Sequence, residues 1–187
     1  MNLPNKLTIL RICLIPLFVA TFYLTIIPFN CIISAVIFVV ASATDFLDGY
    51  IARKYNLVTD FGKFLDPIAD KVLVSTALIV LLAPPIGVFI LPWYASIMVA
   101  VIIARELIIS GFRLVAAGKG KVIAADKSGK IKTFFTDVAI TFILVVAQFN
   151  VEILNIIGLI LLGISALLTI VSGVECFVKN KQVIQSK

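Results

Sequence analysis

Within 26 residues the chain reads Asp45-Phe46-Leu47-Asp48-Gly49-Tyr50-Ile51-Ala52-Arg53 and then, after eight more, Gly62-Lys63-Phe64-Leu65-Asp66-Pro67-Ile68-Ala69-Asp70. Asp45 and Asp48 are three apart and Asp66 and Asp70 four apart, so on helices each pair lies on one face. Two such helices facing each other present four carboxylates to one point. Hard divalent cations such as Mg²⁺ or Mn²⁺ take oxygen ligands, and two of them about 3.5 to 4 Å apart can be bridged by shared carboxylates. Such a pair grips a pyrophosphate and neutralises charge on the leaving phosphate. The expected chemistry is therefore a phosphoryl transfer on two divalent ions.

The neighbours fit that chemistry. Gly49 and Gly62 carry no side chain where a nucleotide would approach a helix face, although glycine also serves close helix packing in membranes. Arg53, one turn beyond Gly49, suits a phosphate, and as an interfacial arginine it also suits headgroups. A purely structural reading pairs the aspartates with Arg53, Lys54, Lys63 and Lys71 at a membrane surface. Pro67 is acceptable if its helix starts near Leu65, because proline is tolerated in a first turn.

The chain contains no histidine, which removes histidine-activated nucleophiles and phosphohistidine intermediates. Cys13, Cys31 and Cys176 are scattered through apolar stretches, a pattern of small buried hydrophobes rather than of disulfides or zinc.

The elements that must position these residues are set by composition. Of 187 residues, 61% are hydrophobic and 14% charged, against about 25% charged in soluble domains. An all-α integral membrane bundle in one domain, residues 1–187, is expected. Apolar runs near the roughly 20 residues that span a bilayer fall at about 8–28, 31–51, 66–84, 91–114, 133–149 and 153–177, giving six transmembrane helices after a short N-terminal interfacial segment. With the N-terminus in the cytoplasm, every one of the 16 Lys and Arg residues lies inside, and the outside connections hold only Glu152. The positive-inside rule is then obeyed throughout, both termini are cytoplasmic, and Trp93 and Tyr94 form an outer aromatic anchor. The net charge of +6 is explained by this bias and does not call for nucleic acid. The basic connection 117–132 suits either anionic headgroups or water.

Together the fixed residues match D-x2-D-G-x2-A-R-x8-G-x3-D-x3-D, and the chain resembles the CDP-alcohol phosphotransferases at every fixed position of that signature. The resemblance implies a six-helix membrane enzyme, usually a homodimer, that transfers the substituted phosphoryl group of a CDP-linked donor to an alcohol and releases CMP. It implies Asp45, Asp48, Asp66 and Asp70 as metal ligands, with Asp70 also taking the proton of the attacking hydroxyl. It places Gly49, Ala52, Arg53 and Gly62 at the CDP group.

Three further stretches bear on the acceptor. Asn5 to Arg11, Arg105 to Arg113, and Lys130 resemble the branch of that family that makes phosphatidylglycerol phosphate in bacteria, whose donor is CDP-diacylglycerol and whose acceptor is sn-glycerol 3-phosphate. A phosphorylated acceptor needs a cationic pocket, and Arg105, Arg113 and Lys130, with Thr8 and Arg11, are the candidates. Glu106 is a candidate ion-pair partner. Inositol phosphate, serine or phosphatidylglycerol as acceptor would use the same chemistry. A cation channel or carrier is the reading from another class, and it requires polar residues through the outer halves of the spans. A metal-binding scaffold without turnover leaves Gly49, Arg53 and Gly62 unexplained.

Overall fold

The computed structural model describes residues 2–55, 60–85, 88, 91–118, 127–149 and 151–180, and the side chains of Ala52, Arg53 and Lys63 are among those outside the described set. Among the described residues the structure is helical: α1 Leu3–Tyr23, α2 Asn30–Lys54, α3 Asp60–Leu82, α4 Ala95–Gly118, α5 Lys127–Ala147 and α6 Glu152–Lys179. The chain divides into two compact units, residues 1–91 with 140–156 and residues 92–139 with 157–187.

In the first unit α1 packs against both α2 and α3. Phe18, Phe22 and Phe38 are fully buried there with Leu73, Ala77, Leu78 and Leu144, and the rings of Phe18 and Phe38 meet at 6.1 Å. The α1–α2 hairpin closes through polar caps. Asn30 donates to the Phe22 carbonyl at 2.7 Å, satisfying a helix-end acceptor, and the Cys31 N–H donates to Gln148. Thr21 and Ser34 share a hydroxyl hydrogen bond of 2.9 Å. These neutral groups satisfy one another, whereas a carrier would need them turned towards a path.

The second unit is built on α4 and the longer part of α6, with Val99, Ile102, Ile109, Leu162 and Ala166 in its core. Phe112 and Phe177 bring α4 and α6 together at 5.0 Å.

Large apolar side chains also cover the outside, among them Leu17, Val36, Ile79, Leu107, Leu114, Leu167 and Val171. An outward apolar face on helices of 21 to 28 residues marks lipid as the surrounding solvent. Four helices, α1, α2, α4 and α6, are each long and apolar enough to cross a bilayer. Helices α3 and α5 have similar length but carry Asp66, Asp70 and Lys71, and Lys130, Lys132 and Asp137, respectively.

Several boundaries differ from the hydropathy expectation. Helix α1 starts at Leu3 and ends at Tyr23, so the expected interfacial segment is the first turn of α1 itself. The largely apolar stretch Leu24 to Phe29 turns rather than extends the helix, with Phe29 left-handed at φ 58°. Helix α3 starts at Asp60, which places Pro67 inside the helix and not in its first turn; its missing N–H leaves the carbonyl four residues earlier without that bond.

Candidate active site

The four aspartates fall on the C-terminal half of α2 and the N-terminal half of α3. Asp45 lies within Coulombic reach of Asp48, Asp66 and Asp70, so the two helix faces do bring the carboxylates into one neighbourhood. Asp48 is buried, with 2% of its side chain exposed, while Asp45 is 43% exposed. Gly62 is buried, and the Gly49 N–H hydrogen-bonds the Asp48 carboxylate. The side chains of Ala52 and Arg53, expected at the CDP group, lie outside the described residues.

The partners of the aspartates come from α1. Arg11 has no exposed side-chain surface; its Nη2 lies 2.6 Å from Asp48 Oδ2 and its Nη1 2.9 Å from Asp45 Oδ1. The first contact is an aligned hydrogen bond and the second an ion pair without that alignment. Arg11 Nε donates to the Ala41 carbonyl at 3.2 Å and faces Thr44 Oγ1 at 3.4 Å. Thr8, equally buried, donates to Asp66 Oδ1 at 2.6 Å. Thr8 and Arg11, candidates for the acceptor phosphate, are in contact with the carboxylates in this structure.

The donor set suits a hard divalent cation, since four carboxylates offer anionic oxygens and no sulfur or nitrogen competes. As the side chains stand, no three acidic or cysteine side chains among the described residues surround a single point. The Arg11 guanidinium, spanning Asp45 and Asp48, takes part of their oxygen valence. The residues therefore fit the ions by type.

A second polar cluster lies in the other unit. Arg105 Nη1 meets Glu106 Oε1 at 3.2 Å and Arg105 Nη2 donates to Ser172 Oγ at 3.0 Å. Lys132 donates to the same Glu106 oxygen. Room for Arg105 is made by Gly173, where a Cβ would meet Arg105 Cγ at 3.1 Å and Nε at 3.3 Å. Arg113 lies within Coulombic reach of Arg105, and the Nε groups of both are buried without a hydrogen-bond partner. Two neighbouring guanidinium groups with orphaned donors favour an anion between them.

Lys130, a candidate for the acceptor phosphate, is exposed, and Lys132, 6% exposed, is the lysine that meets Glu106. Two residues turn a helix by about 200°, so the lysine that faces α4 is decided by how α5 packs. Lys132, Ser172 and Gly173 are the residues that sequence reasoning missed. The difference between the two lysines has a direct test. Lys132→Met leaves Glu106 with Arg105 as its remaining cation and, by removing one buried charged hydrogen bond, is expected to cost about 2 kcal/mol of stability in detergent unfolding. Lys130→Met should stay within about 0.5 kcal/mol.

The profile of the CDP-alcohol phosphatidyltransferase family matches residues 1–171, a stretch that includes the four aspartates, Arg105, Arg113 and Lys132. A Bacillus subtilis protein named CDP-diacylglycerol–glycerol-3-phosphate 3-phosphatidyltransferase is 42% identical over 201 aligned positions, covering 99% of this chain and 98% of the relative. Relatives of the same name from Rickettsia bellii and Yersinia pestis are 43% and 39% identical, covering 94% and 90% of this chain and 93% and 89% of their own lengths. With a family match over most of its length and relatives aligned almost end to end, the chain belongs to the CDP-alcohol phosphatidyltransferase family.

Proposed function

We propose that this membrane protein transfers the phosphatidyl group of CDP-diacylglycerol to sn-glycerol 3-phosphate, giving phosphatidylglycerol phosphate and CMP. The observation that carries the reading is the aspartate quartet on α2 and α3, in a chain aligned over nearly its whole length with relatives named for that reaction. Two Mg²⁺ or Mn²⁺ ions held by Asp45, Asp48, Asp66 and Asp70 would neutralise the pyrophosphate and acidify a nearby hydroxyl.

The chain's own residues supply the rest. Asp70 takes the proton from the primary hydroxyl of the acceptor as its oxygen bonds to the lipid-bearing phosphorus. The bond from that phosphorus to the CMP oxygen breaks, and CMP leaves with the electron pair, so no covalent enzyme intermediate is needed. Gly49, Ala52, Arg53 and Gly62 accommodate the CDP group. Arg105 and Arg113 hold the acceptor phosphate, a role supported by their orphaned Nε donors. Glu106 and Lys132 fix Arg105 in place, and Lys130, exposed, adds a further cation for the acceptor phosphate.

The bundle spans the cell membrane six times in this reading, with both termini and the active site on the cytoplasmic side and a second copy as homodimer partner. The test is CMP release from CDP-diacylglycerol by purified protein given a panel of acceptors. Glycerol 3-phosphate should support turnover, with inositol phosphate, serine and phosphatidylglycerol far slower. Faster turnover with any of those three would overturn the choice of acceptor.

A further inference from the structure

We propose that α1 is the spacer of the carboxylate cluster: Thr8 and Arg11 are positioning residues that hold Asp66 of α3 and the Asp45–Asp48 pair of α2 in register. This deepens the proposed function and rests on its reading of the four aspartates. Thr8 and Arg11 are three residues apart, so they share a face of α1 and stand about 4.5 Å apart along its axis. From that face one side chain reaches each neighbouring helix. Thr8 touches α3 through Asp66, and Arg11 meets α2 at Ala41, Thr44, Asp45 and Asp48.

The geometry distinguishes a spacer from a substrate ligand. A residue that binds acceptor phosphate must offer donors to an incoming anion. Arg11 and Thr8 have no exposed surface, and Arg11 meets two carboxylates and a carbonyl. Reaching a phosphate would require the guanidinium to leave both aspartates, stranding two buried or half-buried charges.

Four carboxylates in one neighbourhood also repel one another and would drive α2 and α3 apart. A fixed guanidinium across Asp45 and Asp48 opposes this. The neutral Thr8 hydroxyl directs one Asp66 oxygen without adding charge, as partners of ligating carboxylates commonly do.

Thr8→Val keeps shape and charge and removes only the hydroxyl. Mn²⁺ binding, followed by the loss of the free-ion resonance on titration, is expected to weaken about tenfold, the usual effect of deleting an outer partner of a ligand. The kcat should fall with it while the KM for glycerol 3-phosphate stays within about twofold. Thr8→Ser should restore both to near the parent values. Arg11→Lys retains charge but not the two-pronged span, and should weaken Mn²⁺ binding in the same sense. Size-exclusion and circular dichroism in detergent confirm that each variant is folded; Arg11→Lys carries the test if Thr8→Val is not.

Unchanged Mn²⁺ affinity in folded Thr8→Val and Arg11→Lys would overturn the spacer role. So would a rise in acceptor KM at unchanged Mn²⁺ affinity, which would return both residues to the acceptor. A parent protein that binds no Mn²⁺ would overturn the reading of the aspartates and the spacer with it. A parent that binds Mn²⁺ but releases no CMP overturns the proposed reaction alone, since the spacer is read from Mn²⁺ affinity.

Discussion

Asp66→Asn is expected to lower CMP release by more than about 100-fold and to weaken Mn²⁺ binding in parallel, since removal of an outer partner alone costs 10 to 100-fold. The substitution exchanges an anionic oxygen for a neutral amide of the same shape. Its carbonyl oxygen still accepts the hydrogen bond from Thr8 at the position where Asp66 accepts it now, so the packing of α1 on α3 is retained. That makes Asp66 a cleaner choice than Asp48, whose neutralisation would also deprive the buried Arg11 of its closest anion. A chelator should abolish turnover of the parent protein and added Mg²⁺ or Mn²⁺ should restore it, because four carboxylates alone would repel the pyrophosphate they must hold. Full turnover in chelator, or an active Asp66→Asn, would sink the two-ion mechanism. At Asp70 the expectation differs in kind. Asp70→Asn should depress kcat more than donor binding if Asp70 takes the hydroxyl proton, and a loss confined to donor binding would remove that role.

The carboxylate pairs were legible because their evidence is local. Spacings of three and four residues put side chains on one helix face whatever the tertiary structure does, and apolar runs of bilayer length announce the helices around them. Helix ends were not legible in the same way. Hydropathy reports the thickness of hydrocarbon, whereas the helix continues as long as backbone hydrogen bonds are satisfied, so α1 begins at Leu3 and takes in Asn5 and Lys6. Non-local partners were legible only as residue types. Arg11 is 37 residues from Asp48 and Thr8 is 58 residues from Asp66, and no pattern within α1 reveals which neighbour it faces. Arg105 lies beside Arg113, its neighbour two turns on along α4, a proximity that spacing within one helix made legible. That Lys132 is the lysine that meets Glu106 was not legible, because it depends on the rotational setting of α5, which packing against α4 and α6 decides.

The same packing makes Arg105 the site of the second large effect. Arg105→Ala removes a charge-assisted contact worth about 1.5 to 3 kcal/mol, so kcat/KM for glycerol 3-phosphate should fall at least about tenfold, with the loss in acceptor KM and the donor KM nearly unmoved. It also leaves Glu106 with Lys132 as its remaining cation, which keeps the cluster from carrying a stranded anion and the protein from unfolding outright. Arg105→Lys should recover only part of the loss, because lysine keeps charge but cannot meet Ser172 and Glu106 on two prongs while also facing an anion. Gly173→Ala approaches the same group from behind. The added methyl would press on Arg105 Cγ and Nε, shifting the guanidinium by tenths of an ångström, and a roughly threefold to tenfold rise in acceptor KM is expected from such overpacking. Plain glycerol, lacking the phosphate, should be a poor acceptor whose turnover is insensitive to all three substitutions. Equal losses with glycerol and glycerol 3-phosphate would show that Arg105 supports the fold alone. Normal acceptor kinetics in all three variants would place the phosphate pocket elsewhere.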